Sequence, residues 1–397
     1  MPTKNLESPF GRDGITPRAY KFGGGANTVT TEDGYIDEFG VFVPYNTGYI
    51  INAGGGNDNV TGSSNDDTII GGSGADTITG GGGNDTLTGG TGSDSIIGGA
   101  GDDIIYGGEQ DGTDGGSRKD STPSNELIGD TWNGGVADSL SATFGSDTIT
   151  GGDGVDNFIY GDNFGALRLD TNSSFTGGKD ILSGGNGLNG EFVDNVIIGD
   201  SQFIATSTGS GASFTGGDDI LTGGSGVNVS NELVGDVGSV GNVDTFQGGN
   251  DTLISGEFAD DIMRGDWSTI PVLYAGNAMG GEDTFVFGLN NGNDRITDFR
   301  STDSDGFEEN DVGDTIDLVA TSLTWTDLDG VGGNSVLDNA DAFVSIVTVG
   351  EGEDAVTSTV IDLGWAVNGE LAKGIDLVTV EGVTGLVETD FDFMTVA

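Results

Sequence analysis

The chain has 397 residues, 77 of them glycine, and its 65 acidic residues against 12 basic ones leave a formal charge of −53. That balance excludes nucleic acid as a partner, because phosphate contact needs clustered Lys and Arg. It also makes the compact state self-repelling unless counter-ions are taken up. Cysteine and histidine are both absent, which removes disulfides, zinc thiolates, thiol nucleophiles and the commonest general base.

Residues 1–52 include the aromatics Tyr20, Phe22, Tyr35, Phe39, Phe42, Tyr45 and Tyr49, and four of the basic residues, Lys4, Arg12, Arg18 and Lys21. They read as an N-terminal cap, or as a docking segment for an anionic surface such as a cell-surface glycan. The start of the chain lacks the apolar core of a cleavable secretory signal. No run of about 18 apolar residues marks a membrane span.

Between Ala53 and Tyr106 the sequence repeats every nine residues, six times. Four copies are unblemished: Gly71–Thr79, Gly80–Thr88, Gly89–Ile97 and Gly98–Tyr106. The first copy has Ala53 for the leading glycine, and the second has Ser63 and Asn65 where glycines belong. Aspartates fall at Asp58, Asp67, Asp76, Asp85, Asp94 and Asp103, and aliphatics at Val60, Ile69, Ile78, Leu87, Ile96 and Ile105. A flexible Gly/Asp linker has no reason to place an aliphatic at every ninth residue. The three residues after each aspartate read as a short strand whose centre points one way and whose neighbours point the other. One unit is then a turn plus a strand, and two units make a coil.

These repeats resemble the calcium-binding nonapeptide of RTX proteins, which winds into a parallel β-roll. The resemblance implies multiple calcium ions, each bridging turns of consecutive coils, so that the first and third units share a site and the second and fourth the next. The implied ligands are the six aspartates together with the glycine carbonyls of Gly72, Gly74, Gly81, Gly83, Gly90, Gly92, Gly99 and Gly101. A hard cation wants six or more oxygens, which carboxylates and carbonyls supply.

After Gly108 a looser repeat of roughly 30–38 residues takes over, as expected of a solenoid that accepts loop insertions. Its closing phrase recurs as Asn125–Asp130, Asn157–Asp162, Asn195–Asp200, Asn231–Asp236 and Asp261–Asp266. The same resemblance extends metal ligation to Asp147, to Gly152, Gly154 and Asp156 of the clean unit Gly151–Ile159, and to Asp180, Asp219, Asp251, Asp260, Asp283 and Asp294. Asn189 and Asn228 stand at the sixth position elsewhere and would supply neutral oxygens. The insertions Asp111–Ser124 and Val237–Asp244 are polar and open to partner contacts.

From Gly280 onward, Gly281–Phe287, Asn293–Phe299 and Asp314–Leu318 resemble the segment that closes the last coil of RTX proteins. Residues 320–397 alternate apolar and polar residues and read as strands. The tail Asp390–Ala397, acidic and then apolar, resembles the uncleaved signal read by type I secretion machinery. The expected organisation is all-β: residues 1–52 a cap, 53–108 a regular β-roll, 109–299 an expanded β-roll, and 300–397 a C-terminal β cap carrying the secretion signal.

Only 52 residues precede the repeats, too few for a catalytic domain of usual size. No histidine completes a Ser-His-Asp triad or an HExxH site. Carboxylate pairs alone can hydrolyse glycosides, but calcium ligation explains these aspartates better. The reading is a non-enzymatic, calcium-binding protein, extracellular or at the bacterial cell surface, self-associating into sheets or filaments as a structural layer. The alternatives are an adhesin that presents its insertions to a glycan or protein, and, remotely, a hydrolase.

Overall fold

The nonapeptide rhythm becomes coils in a computed structural model that describes residues 3–5, 19–31, 34–36, 42–44, 48–108, 124–130, 141–162, 166–169, 173–188, 190–206, 211, 213–239, 245–267, 278–300, 313–330, 333–350, 355–369 and 372–393. Successive strands alternate between two parallel sheets. Thr68–Ser73 and Thr86–Thr91 lie in one, with Ile69 opposite Leu87. Thr77–Gly82 and Ser95–Ala100 lie in the other, with Ile78 opposite Ile96. Val60, Ile69, Ile78, Leu87, Ile96 and Ile105 are fully buried between the sheets, each contributing about 1.5–3 kcal/mol by its removal from water. A one-residue slip would turn this whole column outward, so the aliphatic spacing fixes the register.

Among the described residues the two long sheets hold fourteen and twelve strands. The stack begins well before residue 52. Ala19–Lys21 pairs with Ile50–Gly55, Thr28–Thr30 pairs with Asn59–Thr61, and Thr3–Asn5 lies on Thr28–Thr30, all parallel. Val29, Tyr49 and Ile51 are buried in the same core. The segment expected as a separate cap therefore contributes the first strands of the roll, and its strand pairing crosses residue 52 without a break. Phe39 and Tyr45 lie outside the described residues.

The expanded half keeps the two sheets: Ile149, Leu182, Leu221 and Leu253 stack in register. Its extra residues build a third, five-stranded parallel sheet beside the roll, a feature the repeat alone did not suggest. Phe175, Phe214 and Phe246 pair across that sheet and are buried. Phe214 and Phe246 stack with ring centroids 5.8 Å apart, and Trp267 meets Phe246 edge-on at 5.4 Å. A second buried column, Ile128, Tyr160, Ile198 and Val234, runs along the fourteen-stranded sheet. Most of Asp111–Ser124 and of Val237–Asp244 lies outside the described residues.

The C-terminal part closes the open end, as expected, and the coils continue past residue 300. Thr315–Asp317 extends the twelve-stranded sheet, and Phe391–Asp392 adds the last strand beyond it. Leu377–Val380 pairs parallel with Asn293–Ile296, and an antiparallel pair, Val344–Val349 with Val356–Asp362, completes the fourteen-stranded sheet. Two short helices, Trp325–Asp329 and Leu363–Asn368, interrupt the stretch expected as strands. The Asp362 carboxylate accepts the Trp365 N–H at 2.9 Å, a side-chain cap that starts the second helix.

Candidate metal centres

Each coil has two turns, and each turn of the regular half presents one aspartate to its interior. At the first edge the chain passes from the twelve- to the fourteen-stranded sheet, and Asp58, Asp76 and Asp94 form a row there. At the second edge it returns, past Asp67, Asp85 and Asp103. The backbone N–H of each aspartate donates to Oδ1 of the aspartate one coil on: Asp58 to Asp76 at 2.8 Å, Asp67 to Asp85 at 2.7 Å, Asp76 to Asp94 at 2.9 Å and Asp85 to Asp103 at 2.7 Å. All six are buried, yet Oδ2 of Asp58, Asp76, Asp85, Asp94 and Asp103 has no hydrogen-bond partner. Asp67 differs because the Ser63 N–H (2.6 Å) and hydroxyl (3.1 Å) donate to its Oδ2. The serine that spoils the second repeat thus closes the end of that row.

Leaving a buried carboxylate oxygen unmatched is costly. Strand spacing sets neighbouring carboxylates about 4.8 Å apart, where two unit charges repel by about 3–4 kcal/mol at an effective dielectric of ~20. A cation between coils relieves both. The leading glycines show where it would sit: a Cβ on Gly89 would lie 2.3 Å from Asp94 Oδ2 and 2.6 Å from the Gly107 carbonyl, and one on Gly80 would lie 2.1 Å from Asp85 Oδ2 and 2.6 Å from the Gly98 carbonyl. Only glycine leaves this oxygen-lined cradle open. Its donors are all hard oxygens, which fits calcium. Among the described residues no group of three or more acidic side chains is gathered closely enough to hold an ion unaided, so backbone carbonyls must complete any shell.

The other expected glycines shape the turns. Gly72, Gly74, Gly81, Gly83, Gly90, Gly92, Gly99 and Gly101 all have φ between 93° and 129°, a backbone that L side chains rarely adopt. Gly154 is also positive, at 73°.

Burial, opposed by the ladder hydrogen bonds and reinforced by neighbouring aspartates, pushes these carboxyls up: Asp85 to about 8, and Asp94 and Asp103 to about 7. Asp76 is raised by the same burial. Without a cation Asp85, Asp94 and Asp103 would be partly protonated at neutral pH, as desolvation of crowded carboxylates favours.

In the expanded half the two edges diverge. The second edge continues as an aspartate row, with Asp103 donating to Asp147 at 2.6 Å, Asp147 to Asp180 at 2.7 Å, Asp180 to Asp219 at 2.8 Å, Asp219 to Asp251 at 2.7 Å and Asp251 to Asp283 at 3.0 Å. Oδ2 of Asp147, Asp180, Asp219, Asp251 and Asp283 is again buried and unpartnered. Burial raises Asp147 to about 9 and Asp219 to about 8.

On the first edge asparagine takes over. The Asp94 N–H donates to Asn125 Oδ1 at 3.0 Å, and Asn157, Asn195 and Asn231 follow before Asp261 and Asp294 resume the row. Asp156 and Asp260 were therefore expected one residue early. Asn157 and Asp261 face the interior, whereas Asp156 is half-buried, Asp260 is exposed, and both accept backbone N–H groups on the strand's outer side. The cause is register, since Asn125 pairs with Asn157 and Asn231 with Asp261. Gly152 is likewise no free ligand: its N–H donates to Asn157 Oδ1 (2.8 Å) and its carbonyl accepts Asn157 Nδ2 (3.0 Å). Asn228 is off the row, donating to the Gly190 carbonyl at 2.7 Å, and Asn189 lies outside the described residues.

One set was missed. Asp130, Asp162, Asp200, Asp236 and Asp266, the last residue of each recurring phrase, are all buried at the second edge. Their recurrence immediately after a glycine was the available signal.

The RTX calcium-binding nonapeptide repeat, as a family model, matches this chain in four copies, over residues 52–87, 79–114, 132–164 and 215–229. The first two cover the regular coils, and the last two contain Asp147 and Asp219. Among curated proteins none matches the chain.

Proposed function

The chain is an RTX-repeat protein, and from that premise we propose that it is an exported, non-enzymatic protein whose β-roll folds on binding several calcium ions and serves as a structural component of a bacterial surface or matrix. Support comes first from the buried, unpartnered oxygens of Asp76, Asp85 and Asp94, repeated in register with the glycine cradles. Those three aspartates, with Asp58 and Asp103 and the carbonyls of the glycine turns, would hold the ions of the regular half. Metal binding and folding then become one event. Extracellular calcium modules bind at about 10⁻⁴–10⁻³ M, so a calcium-poor cytosol leaves the chain extended enough to export through a type I system.

The aspartates that could pair for glycoside hydrolysis are instead tied into backbone ladders, which favours the non-catalytic reading. Among the described residues no helix is long and apolar enough to cross a membrane. Self-association rests on the sheet ends. Val344–Val349 is an edge strand with Val347 and Val349 exposed, and unpaired edges invite further strands. Contacts of this head-to-tail kind do not close and so build sheets or filaments.

The adhesin reading is favoured by a different observation. The long connections after Asp130, Asp162, Asp200 and Asp266 all leave the roll at the second edge, so most departure points for segments that could meet a glycan or protein lie along one edge.

The test is circular dichroism and light scattering across a calcium titration of the full chain. Disorder in chelator, strand signal with calcium, and ordered assemblies by negative-stain microscopy are expected. Equal strand content with and without chelator defeats calcium-driven folding, and a sharp monomer peak at all calcium concentrations leaves the adhesin in front.

A further inference from the structure

The recurring Gly-Asp phrases place a second carboxylate in each turn of the second edge, where the nonapeptide has a glycine. Gly129 takes the position of Gly98, since a Cβ on Gly98 would lie 2.7 Å from the Gly129 carbonyl, so Asp130 takes that of Gly99. The chain then leaves for its insertion and returns through Gly145, which stacks on Gly101. The added aspartate reaches across the break to the returning turn. The Gly178 N–H donates to Asp162 Oδ2 at 3.1 Å, that of Gly217 to Asp200 Oδ1 at 3.2 Å, that of Gly249 to Asp236 Oδ1 at 2.8 Å and that of Gly281 to Asp266 Oδ1 at 2.7 Å. Each coil here thus carries two carboxylates on one edge.

Asp162, Asp200 and Asp236 have no exposed surface, and Asp180, Asp219 and Asp251 beside them are 1% exposed. Asp162 Oδ1, Asp236 Oδ2 and the Oδ2 atoms of Asp180, Asp219 and Asp251 have no partner. Carboxylates of successive coils also converge: a Cβ on Gly248 would lie 2.4 Å from Asp266 Oδ1 and 2.6 Å from Asp236 Oδ2. At the next step, a Cβ on Gly280 would meet Asp266 Oδ2 at 2.2 Å and Arg300 Nη2 at 1.5 Å. The Arg300 guanidinium donates to Asp266 Oδ2, and its backbone N–H donates to Asp314 Oδ2 at 2.7 Å. A positive group of the chain itself occupies the last step of the row.

The opposite edge of the same coils is closed by amides. Asn195 accepts the Gly185 N–H (3.1 Å), donates to the Gly185 carbonyl (3.0 Å) and donates to Asn231 Oδ1 (2.7 Å). Asn231 repeats this on Gly224 at 2.9 Å each way. The cradle that a Cβ would fill at Gly184 contains Asn195 Nδ2, 2.8 Å away, where Gly89 faces Asp94 Oδ2. Carbonyls that would face an ion in the regular half are satisfied by side-chain N–H groups here.

We propose that the Gly-Asp carboxylates Asp162, Asp200 and Asp236 join Asp180, Asp219 and Asp251 of the second edge to build a paired-carboxylate divalent-cation channel, terminated by Arg300, while the asparagine edge of the same coils binds none. The regular coil has one carboxylate at each edge; the expanded coil moves both to one side. Two carboxylates per step provide about one full dication charge per coil, which suits calcium and lanthanides over monovalent ions.

This rests on the calcium reading above, and the test separates the two. Bound calcium is counted by titration calorimetry on the full chain for wild type, for D162N/D200N/D236N and for D76N/D85N/D94N. The Asn variants are isosteric and can still accept the glycine N–H groups. Both triples should bind fewer ions than wild type, and combining them should add the losses. Terbium emission sensitised by Trp267, the residue after Asp266, gives a second measurement. It should fall at least several-fold in D162N/D200N/D236N, or in D200N alone if the triple fails to fold, and persist in D76N/D85N/D94N. Wild-type stoichiometry and emission in the D162N/D200N/D236N chain would overturn the channel and leave calcium binding by the nonapeptides intact. Absence of calcium binding by wild type would overturn both.

Discussion

The backbone N–H of Asp94 donates to the side-chain oxygen of Asn125, 3.0 Å away and 31 residues on. At that bond a ladder of carboxylates becomes a ladder of amides, and the ladder oxygen one coil further on changes from anionic to neutral. An amide brings its own donors. Asn157, Asn195 and Asn231 each return an N–H to a glycine carbonyl of the turn, the group that would otherwise need a metal.

Asn195→Ala should therefore destabilise the expanded half by about 1–3 kcal/mol, the cost of leaving buried backbone groups unmatched, and to the same extent at low and at saturating calcium. Asn195→Asp should be well tolerated only in calcium, because it restores a carboxylate without a donor. Thermal unfolding just above the calcium folding midpoint and in saturating millimolar calcium separates the two substitutions. A calcium-dependent loss for Asn195→Ala would place a cation on that edge.

Two neighbouring glycines should fail in different ways. Gly90 has φ of 118°, and a Cβ there would lie 2.0 Å from the Gly72 carbonyl, so Gly90→Ala should cost more than the ~1–2 kcal/mol of a left-handed residue, whether metal is present or not. Gly89 lies outside that region, and its added methyl would fill the space between Asp94 Oδ2 and the Gly107 carbonyl. Gly89→Ala should lower calcium affinity there at least tenfold. Calorimetry on both variants, with thermal unfolding in saturating calcium as the control, reads the difference.

The regular half was legible because one period carries everything: aliphatic column, turn glycines and ladder aspartates all recur at nine. The expanded half was legible as coils and less so as sites. Asp156 and Asp260 each precede the residue that faces inward, because strand pairing aligns Asn125 with Asn157 and Asn231 with Asp261, and a two-residue period turns a shift of one residue from inside to outside. Asp162, Asp200 and Asp236 each close a phrase that recurs plainly in the sequence, but their distance from Asp180, Asp219 and Asp251 along the chain hides that insertions bring the two sets together. The third sheet is built from those insertions, whose Ser-Phe-Thr phrases are too short to announce a layer.

Protons should stand in for calcium. Burial and neighbouring carboxylates raise Asp85 and Asp219 to about 8 and Asp147 to about 9. The metal-free folded chain thus binds protons more tightly than the unfolded chain, whose carboxyls stay near the ordinary 3.8. By linkage this contribution is fully present below that value and is lost as pH rises through about 7 to 9. In chelator, strand signal should grow on acidification from pH 9 to pH 5; the calcium needed for half-folding should fall with pH, because protons already stabilise the fold, while the calcium needed to half-saturate the folded chain should rise, because protons and metal compete. A metal-free chain equally unfolded at pH 5 and pH 9 would contradict the packing of these rows.

The tail test of secretion has to respect the last strand. Phe391 is 8% exposed, lies 5.8 Å ring to ring from Trp325, and stacks on Phe393 at 5.5 Å. Its strand pairs Phe391 with Ile316 in the twelve-stranded sheet. Removing residues 391–397 would expose the end of the core, and Phe391→Ala alone should cost about 3 kcal/mol, at the low end for a large-to-small change in a core. Removing only 394–397 spares both phenylalanines, so calcium-induced folding should match the full chain while export through a type I transporter fails. Export of the 394–397 deletion at full yield, with loss only when Phe391 is removed, would make the tail a strand of the cap rather than a signal.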